Sequence, residues 1–148
     1  YHINQSKIAL GSGGVFGKGF LQGSQSHLDF LPEKQTDFIF TMIGEEFGLA
    51  GSLFVLMIFV LIMLYTYMIS FLQSSQFGRL VCSGIVFMLF SYVFVNIGMV
   101  SGMLPVVGAP LPLISYGGSS MLTIFISFGI VLSASIHRFD KLEVRERY

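Results

Sequence analysis

Ionisable side chains are what this sequence has least of. Of 148 residues, 8 are Lys or Arg and 8 are Asp or Glu, for a net charge of zero, and none of the four types occurs between Glu46 and Arg79 or between Arg79 and Arg138. A soluble globular chain carries roughly a quarter of its residues as charges, so an ordinary soluble domain is excluded. The balanced charge also gives no electrostatic reason to expect a nucleic-acid partner. Cys82 is the single cysteine, which rules out an intramolecular disulfide. His2, His27 and His137 have no metal-ligand spacing to one another or to Cys82, so no metal site is identified. There is no G-x-S-x-G elbow for a serine nucleophile. The glycines between Gly11 and Gly19 do not make a phosphate loop either: Ser12 stands where the first glycine is needed and Gly19 where the hydroxyl is needed. The dinucleotide pattern G-x-G-x-x-G fails at Phe16.

What is present is apolar, at 53% of residues. A membrane helix needs roughly 20 such residues to cross about 30 Å of hydrocarbon. Three segments meet that requirement, at about 47–72, 80–103 and 117–137. The run "LFVLMIFVLIMLYTYMISFL" from Leu53 to Leu72 is apolar all round, whereas a membrane β-barrel strand is shorter and alternates. The predicted fold is therefore all-α: a polytopic membrane helical bundle with about three transmembrane helices and a large extracytoplasmic loop. Residues 1–36 are expected to hold the Gly/Ser-rich loop, and residues 37–148 a three-span membrane region with a short C-terminal tail. The opening at Tyr1, without Met or a basic leader, suits the C-terminal part of something longer.

Positive charge sets the expected orientation. Arg138, Lys141, Arg145 and Arg147 lie in the tail and Arg79 in the first connection, while the connection 104–116 is uncharged. By the positive-inside rule the tail and the Arg79 connection are cytoplasmic, and residues 1–36 and 104–116 lie outside.

Three stretches carry more information than hydropathy. The segment "NQSKIALGSGGVFGKGFLQGSQS" reads as irregular chain, its glycines serving tight turns and close backbone approach or lining a surface for a polar ligand. Pro32 and Glu33 suit a first helical turn, and Thr36 and Asp37 a second cap. From Asp37, Thr41, Gly44, Glu45 and Gly48 fall on one side at about 100° per residue, and Phe38, Ile39, Phe40, Met42, Ile43 and Phe47 elsewhere. Such a small polar face either packs closely on another segment or borders a watery groove. A carboxylate at a membrane rim is a functional candidate by default. In "NIGMVSGMLPVVGAPLPLISYGGSS", prolines 105, 110 and 112 preclude one continuous helix, so that backbone must be buried or line a cavity. Asn96 should bond across helices or to that backbone, and the hydroxyls from Ser115 to Ser120 are available as caps.

The blocks "QSKIALGSGGVFGKGFLQGSQSHLDFLPEKQTDFIF", "GEEFGLAG" and "NIGMVSGMLPVVGAPLPLISYGGSS", in this order, resemble the C-terminal half of the SEDS family (shape, elongation, division and sporulation), nearer its elongation branch than its division branch. The resemblance implies a peptidoglycan glycosyltransferase of the bacterial cytoplasmic membrane that polymerises lipid II in cell elongation and rod-shape maintenance. It implies a class B penicillin-binding protein as transpeptidase partner, other elongation-complex membrane proteins, and a divalent cation, Mg or Mn. It also implies that residues 1–36 are the end of a span plus the extracytoplasmic loop. The family's essential acidic residue, the aspartate of T-D-F-I-F, falls on Asp37. Lys7, Glu33, Thr36 and Ser115 are the candidate substrate contacts beside it, with Lys18 a second cation whose spacing is no less suitable than that of Lys7. From the residues alone, a transporter of the same lipid-linked precursor and a non-catalytic scaffold remain alternatives.

Overall fold

The computed structural model describes residues 8, 11–17, 19, 39–105 and 107–137. Among the described residues three long helices follow one another, α1 (Ile39–Phe71), α2 (Gln76–Val100) and α3 (Gly118–Ile136), and Ile8, Gly11 and Ser12 are also helical. Each is long and apolar enough to cross a membrane, and no strand occurs among the described residues.

The helix ends explain where hydropathy misjudged the boundaries. α1 begins eight residues before the apolar run, because backbone helicity continues through the polar face that hydropathy discounts. Gly48 then breaks it, with φ 67° and ψ −159°, leaving a following section of about 34 Å at 1.5 Å per residue, enough to span. α2 starts before Arg79 because Ser75 caps it: the Gly78 N–H donates to Ser75 Oγ at 3.0 Å. Its far end closes with Gly102 at φ 73°, the Met103 N–H donating to Gly98 O at 2.8 Å and the Gly102 N–H to Met99 O at 3.0 Å. These two bonds are the Schellman pattern that ends a helix at a left-handed glycine, three residues short of the apolar run.

Packing is concentrated between α1 and α2, with α3 leaning on both more lightly. One core cluster joins Ile69 of α1, Cys82, Ile85 and Leu89 of α2 and Val131 of α3. The connection between α1 and α2 is tied down there, Ser70 Oγ donating to Arg79 O at 2.9 Å and Gln73 Nε2 to Ala134 O at 2.8 Å. The other cluster joins Phe40 and Phe59 of α1, Val93, Met99 and Val100 of α2 and Leu111 of the following loop. Phe87, Phe94 and Phe125 face outward, as lipid-facing or inter-span residues do. Met99, fully buried, is a core exception among the methionines.

Candidate functional site at the polar end of the bundle

The first two turns of α1 are built inside out. Thr41, Gly44, Glu45 and Gly48 are buried and Phe47 and Leu49 exposed, because the small polar residues share one side of the helix and that side meets protein. Thr41 and Glu45 are each 1% exposed. A carboxylate taken that far from water is costly unless its environment compensates it, so Glu45 is the titratable group that sequence reasoning underrated. The signal was available: Glu45 lies on the face of Thr41 and Gly44, whereas Glu46, one residue on and about 100° away, is only half-buried.

Close packing, one of the two readings open for this face, is what the structure shows along the glycine-rich segment. A Cβ on Gly13 would collide with Gly44 O and lie 3.1 Å from Glu45 Cα, and one on Gly17 would collide with Glu46 O. Only glycine lets these backbones touch. The contact also completes hydrogen bonding at the break in α1. The N–H groups of Leu49 and Ala50 donate to Gly14 O at 2.9 Å and Val15 O at 3.1 Å, and the Gly19 N–H donates to Glu46 O at 3.1 Å. Ser52 Oγ donates to Gly48 O at 3.0 Å. A broken helix at membrane depth requires such partners.

The proline-rich loop closes the same end. Asn96 Nδ2 donates to Ala109 O at 2.7 Å, the side-chain-to-loop bond expected of an amide inside a span. Leu111, 1% exposed, packs in the cluster with Phe40 and Met99. The loop thus seals the start of α1, three residues beyond Asp37. Ser115 does not cap α3: the cap position is Gly117, without a side-chain bond. The Ser115 hydroxyl instead accepts from the Leu111 N–H at 2.7 Å, while the Ser115 N–H donates to Leu111 O at 3.0 Å. This closed turn holds Leu113 at φ 64°, a left-handed conformation that costs a non-glycine residue about 1–2 kcal/mol. Rigid prolines on its approach are therefore useful. Replacing Pro110 and Pro112 with Ala frees the open loop by about 0.4–1 kcal/mol each. We expect the double variant of the full-length protein to lose about tenfold in specific activity with membrane abundance retained; loss of abundance at normal specific activity would leave the loop structural only.

Of the candidate site residues, Ser115 alone is among the described residues, 4% exposed. Lys7, Glu33, Thr36 and Asp37 lie outside them, as do Lys18 and the helix start expected at Pro32. One turn after Asp37, Thr41 Oγ1 is buried with no hydrogen-bond partner among the described residues. Those residues contain no group of three or more His, Cys, Asp or Glu able to hold a metal ion. They do not by themselves make a divalent-cation site.

The family model FTSW_RODA_SPOVE, described as "Cell cycle protein", matches residues 1–140. The peptidoglycan glycosyltransferase MrdB of Escherichia coli (strain K12) is 55% identical over 138 residues, covering 93% of this chain and 37% of that protein. The chain therefore spans little more than a third of that relative's length. Among solved structures, a crystal structure of a point mutant of Thermus thermophilus rod shape determining protein RodA superposes with a TM-score of 0.72 at 32% identity, over 90% of this chain and 41% of that one. A chain from the structure described as "Structural coordination of polymerization and crosslinking by a peptidoglycan synthase complex" superposes with a TM-score of 0.74 at 28% identity, over 93% and 38%. The order of motifs, the three membrane-spanning helices and the match across residues 1–140 agree, and the chain belongs to the FtsW/RodA/SpoVE family of cell cycle proteins.

Proposed function

We propose that this chain is the C-terminal part of a peptidoglycan glycosyltransferase that polymerises lipid II into glycan strands during cell elongation. The observation that carries the reading is 55% identity over 93% of the chain to a relative named as that enzyme. The geometry supports it: a buried polar face on α1, beginning one turn after Asp37, is sealed by the glycine-rich segment on one side and the proline-rich loop on the other. Glycosyl transfer from a lipid diphosphate requires a sugar hydroxyl to attack the anomeric carbon as diphosphate departs. In this reading Asp37 is the general base that takes the hydroxyl proton; a partly desolvated position at the membrane rim would raise its proton affinity toward a useful range. Lys7 or Lys18, with cationic groups of the preceding spans, neutralises the leaving diphosphate. Glu33 and Thr36 are substrate contacts in this reading, whereas Ser115, buried and accepting from the Leu111 N–H, holds the proline-rich loop closed. A divalent cation, Mg or Mn, would supply further positive charge to the diphosphate.

The break in α1 is the feature that would favour a lipid-precursor transporter, since discontinuous helices there present free backbone groups to ions. Here Gly14, Val15, Gly19 and Ser52 occupy those groups, which weighs toward a fixed site and against an ion-coupled path. The partner in this reading is a class B penicillin-binding protein acting as transpeptidase. The deciding assay is glycan-strand synthesis from lipid II by the full-length protein purified with that partner carrying an inactivated transpeptidase site. Strands are expected; their absence under conditions that preserve the complex would remove the polymerase assignment.

In this reading the site lies on the extracytoplasmic face, with the Arg79 connection and the C-terminal tail cytoplasmic. A cysteine at Ser24 should then react with an impermeant thiol reagent in intact cells whose outer membrane has been permeabilised, and one at Ser75 should not. The reverse labelling would invert the orientation.

A further inference from the structure

At the end of the bundle remote from the polar face, a two-part cavity runs along the seam between α1 and α2. Its head, about 360 Å³, is lined by Tyr67, Ser70, Gln76, Arg79 and Ser83 together with Phe71 and Leu80. Its tail, about 420 Å³, is a trough lined by Val60, Met63, Leu64, Val86, Phe87 and Phe90. Tyr67 and Ser83 line both parts, so head and tail adjoin at these two side chains. α1 runs toward the connection and α2 away from it. Stepping back from Tyr67 to Val60, or forward from Ser83 to Phe90, therefore descends from the rim about 10 Å into the hydrocarbon.

Among the described residues the head is electropositive, with no carboxylate lining it. Arg79 is the single Asp, Glu, Lys or Arg between residues 47 and 137, and Glu46 sits near the other end of α1, about 38 Å away along that helix. The guanidinium lies 5.9 Å from the Phe71 ring centroid. Phe71 is in turn held edge-on by Tyr67, with ring centroids 4.9 Å apart. The Ser70 hydroxyl is committed to Arg79 O, which fixes the backbone beneath the cation. Gln76 opens α2, whose first N–H groups add partial positive charge.

We infer that this composite cavity binds an anionic glycerophospholipid of the adjoining leaflet, with its phosphate on Arg79 and Gln76 and one acyl chain in the trough. A charged head and an apolar tail, adjoining at Tyr67 and Ser83, match that shape and charge pattern and not those of a peptide or a soluble anion. Basic pockets between helices on the cytoplasmic side recognise lipid headgroups by the same physics. The site is separate from the polar end of α1, in the opposite leaflet, and does not depend on the polymerase reading.

The test is native mass spectrometry of the full-length protein, delipidated in detergent and titrated in parallel with phosphatidylglycerol and phosphatidylcholine. The wild-type protein should retain phosphatidylglycerol in preference to phosphatidylcholine. Arg79→Gln should weaken phosphatidylglycerol retention about five- to tenfold, and Arg79→Lys should keep most of it. Leu64→Trp, which fills the trough at an exposed position, should weaken retention of the long-chain lipid while leaving the short-chain analogue unaffected. Lipid retention is referred to the folded fraction of each variant, so a stability defect is not read as lost binding. Equal retention of the two lipids by wild type, as when a preceding span occupies the trough, overturns the site. So does undiminished phosphatidylglycerol retention in Arg79→Gln, or displacement by a polyprenyl phosphate at lower concentration than by phosphatidylglycerol.

Discussion

Asp37→Asn in the full-length protein should abolish detectable lipid II polymerisation while membrane insertion and partner binding persist. Asn keeps the size and one acceptor oxygen of the side chain but cannot take a proton at neutral pH. Loss of a general base alone removes roughly 10²- to 10⁴-fold. Any part in orienting the acceptor sugar or holding a cation beside the diphosphate adds to that. Glu33→Gln, four residues earlier and explained equally well as a favourable charge at a helix start, should retain partial activity. The comparison separates a carboxylate that performs chemistry from one that serves the fold. Near-normal glycan synthesis by Asp37→Asn, with the transpeptidase inactivated, would withdraw the catalytic assignment and return the transporter to first place.

How much of this was legible in sequence depended on which physical signal each feature leaves. Membrane insertion follows from side-chain transfer energies, so the three spans were readable from composition and from the charge gaps on either side of Arg79. The face of Thr41, Gly44, Glu45 and Gly48 was readable too, because helical periodicity alone brings those residues to one side. Its partner was not. Nothing in local pattern says that Gly13 and Gly17 lie against Gly44, Glu46 and Gly48, since that contact joins segments some thirty residues apart and the glycines at both surfaces fit many other turns. The break at Gly48 was hidden for the same reason: a glycine in an apolar helix is often only a small residue, and its left-handed φ appears only once the glycine-rich segment supplies acceptors for the Leu49 and Ala50 N–H groups. Ser115 illustrates a competition within the loop. Its position before α3 suggested a cap, but a turn holding Leu113 at positive φ made greater use of the hydroxyl.

Gly48→Ala is expected to be among the most damaging single methyl additions at the described residues. At φ 67° an L side chain costs about 1–2 kcal/mol before any contact is considered. The new methyl would collide with Gly17 N and lie 2.7 Å from Val15 O, and both are backbone atoms that cannot rotate away. The glycine-rich segment must therefore lift. Lifting it stretches the bonds from the Leu49 and Ala50 N–H groups, each worth about 1 kcal/mol net and more where water cannot replace the acceptor. The total is on the order of 3–4 kcal/mol, visible as a lower unfolding temperature in detergent and as lost polymerisation, since the displaced first turns of α1 carry the polar face that follows Asp37. Gly84→Ala provides the control: that glycine lies in α2 with nothing within 4 Å of the added carbon, and alanine is the better helix former by about 1 kcal/mol, so stability should hold or rise slightly. Gly17→Ala attacks the same contact from the other side, at φ 78°. The two damaging substitutions should therefore be non-additive, the double variant falling well short of the sum of the singles because the second methyl meets an interface already opened. Additive losses would mean that Gly17 and Gly48 act separately, and wild-type stability in Gly48→Ala would mean that the glycine-rich segment does not rest on α1.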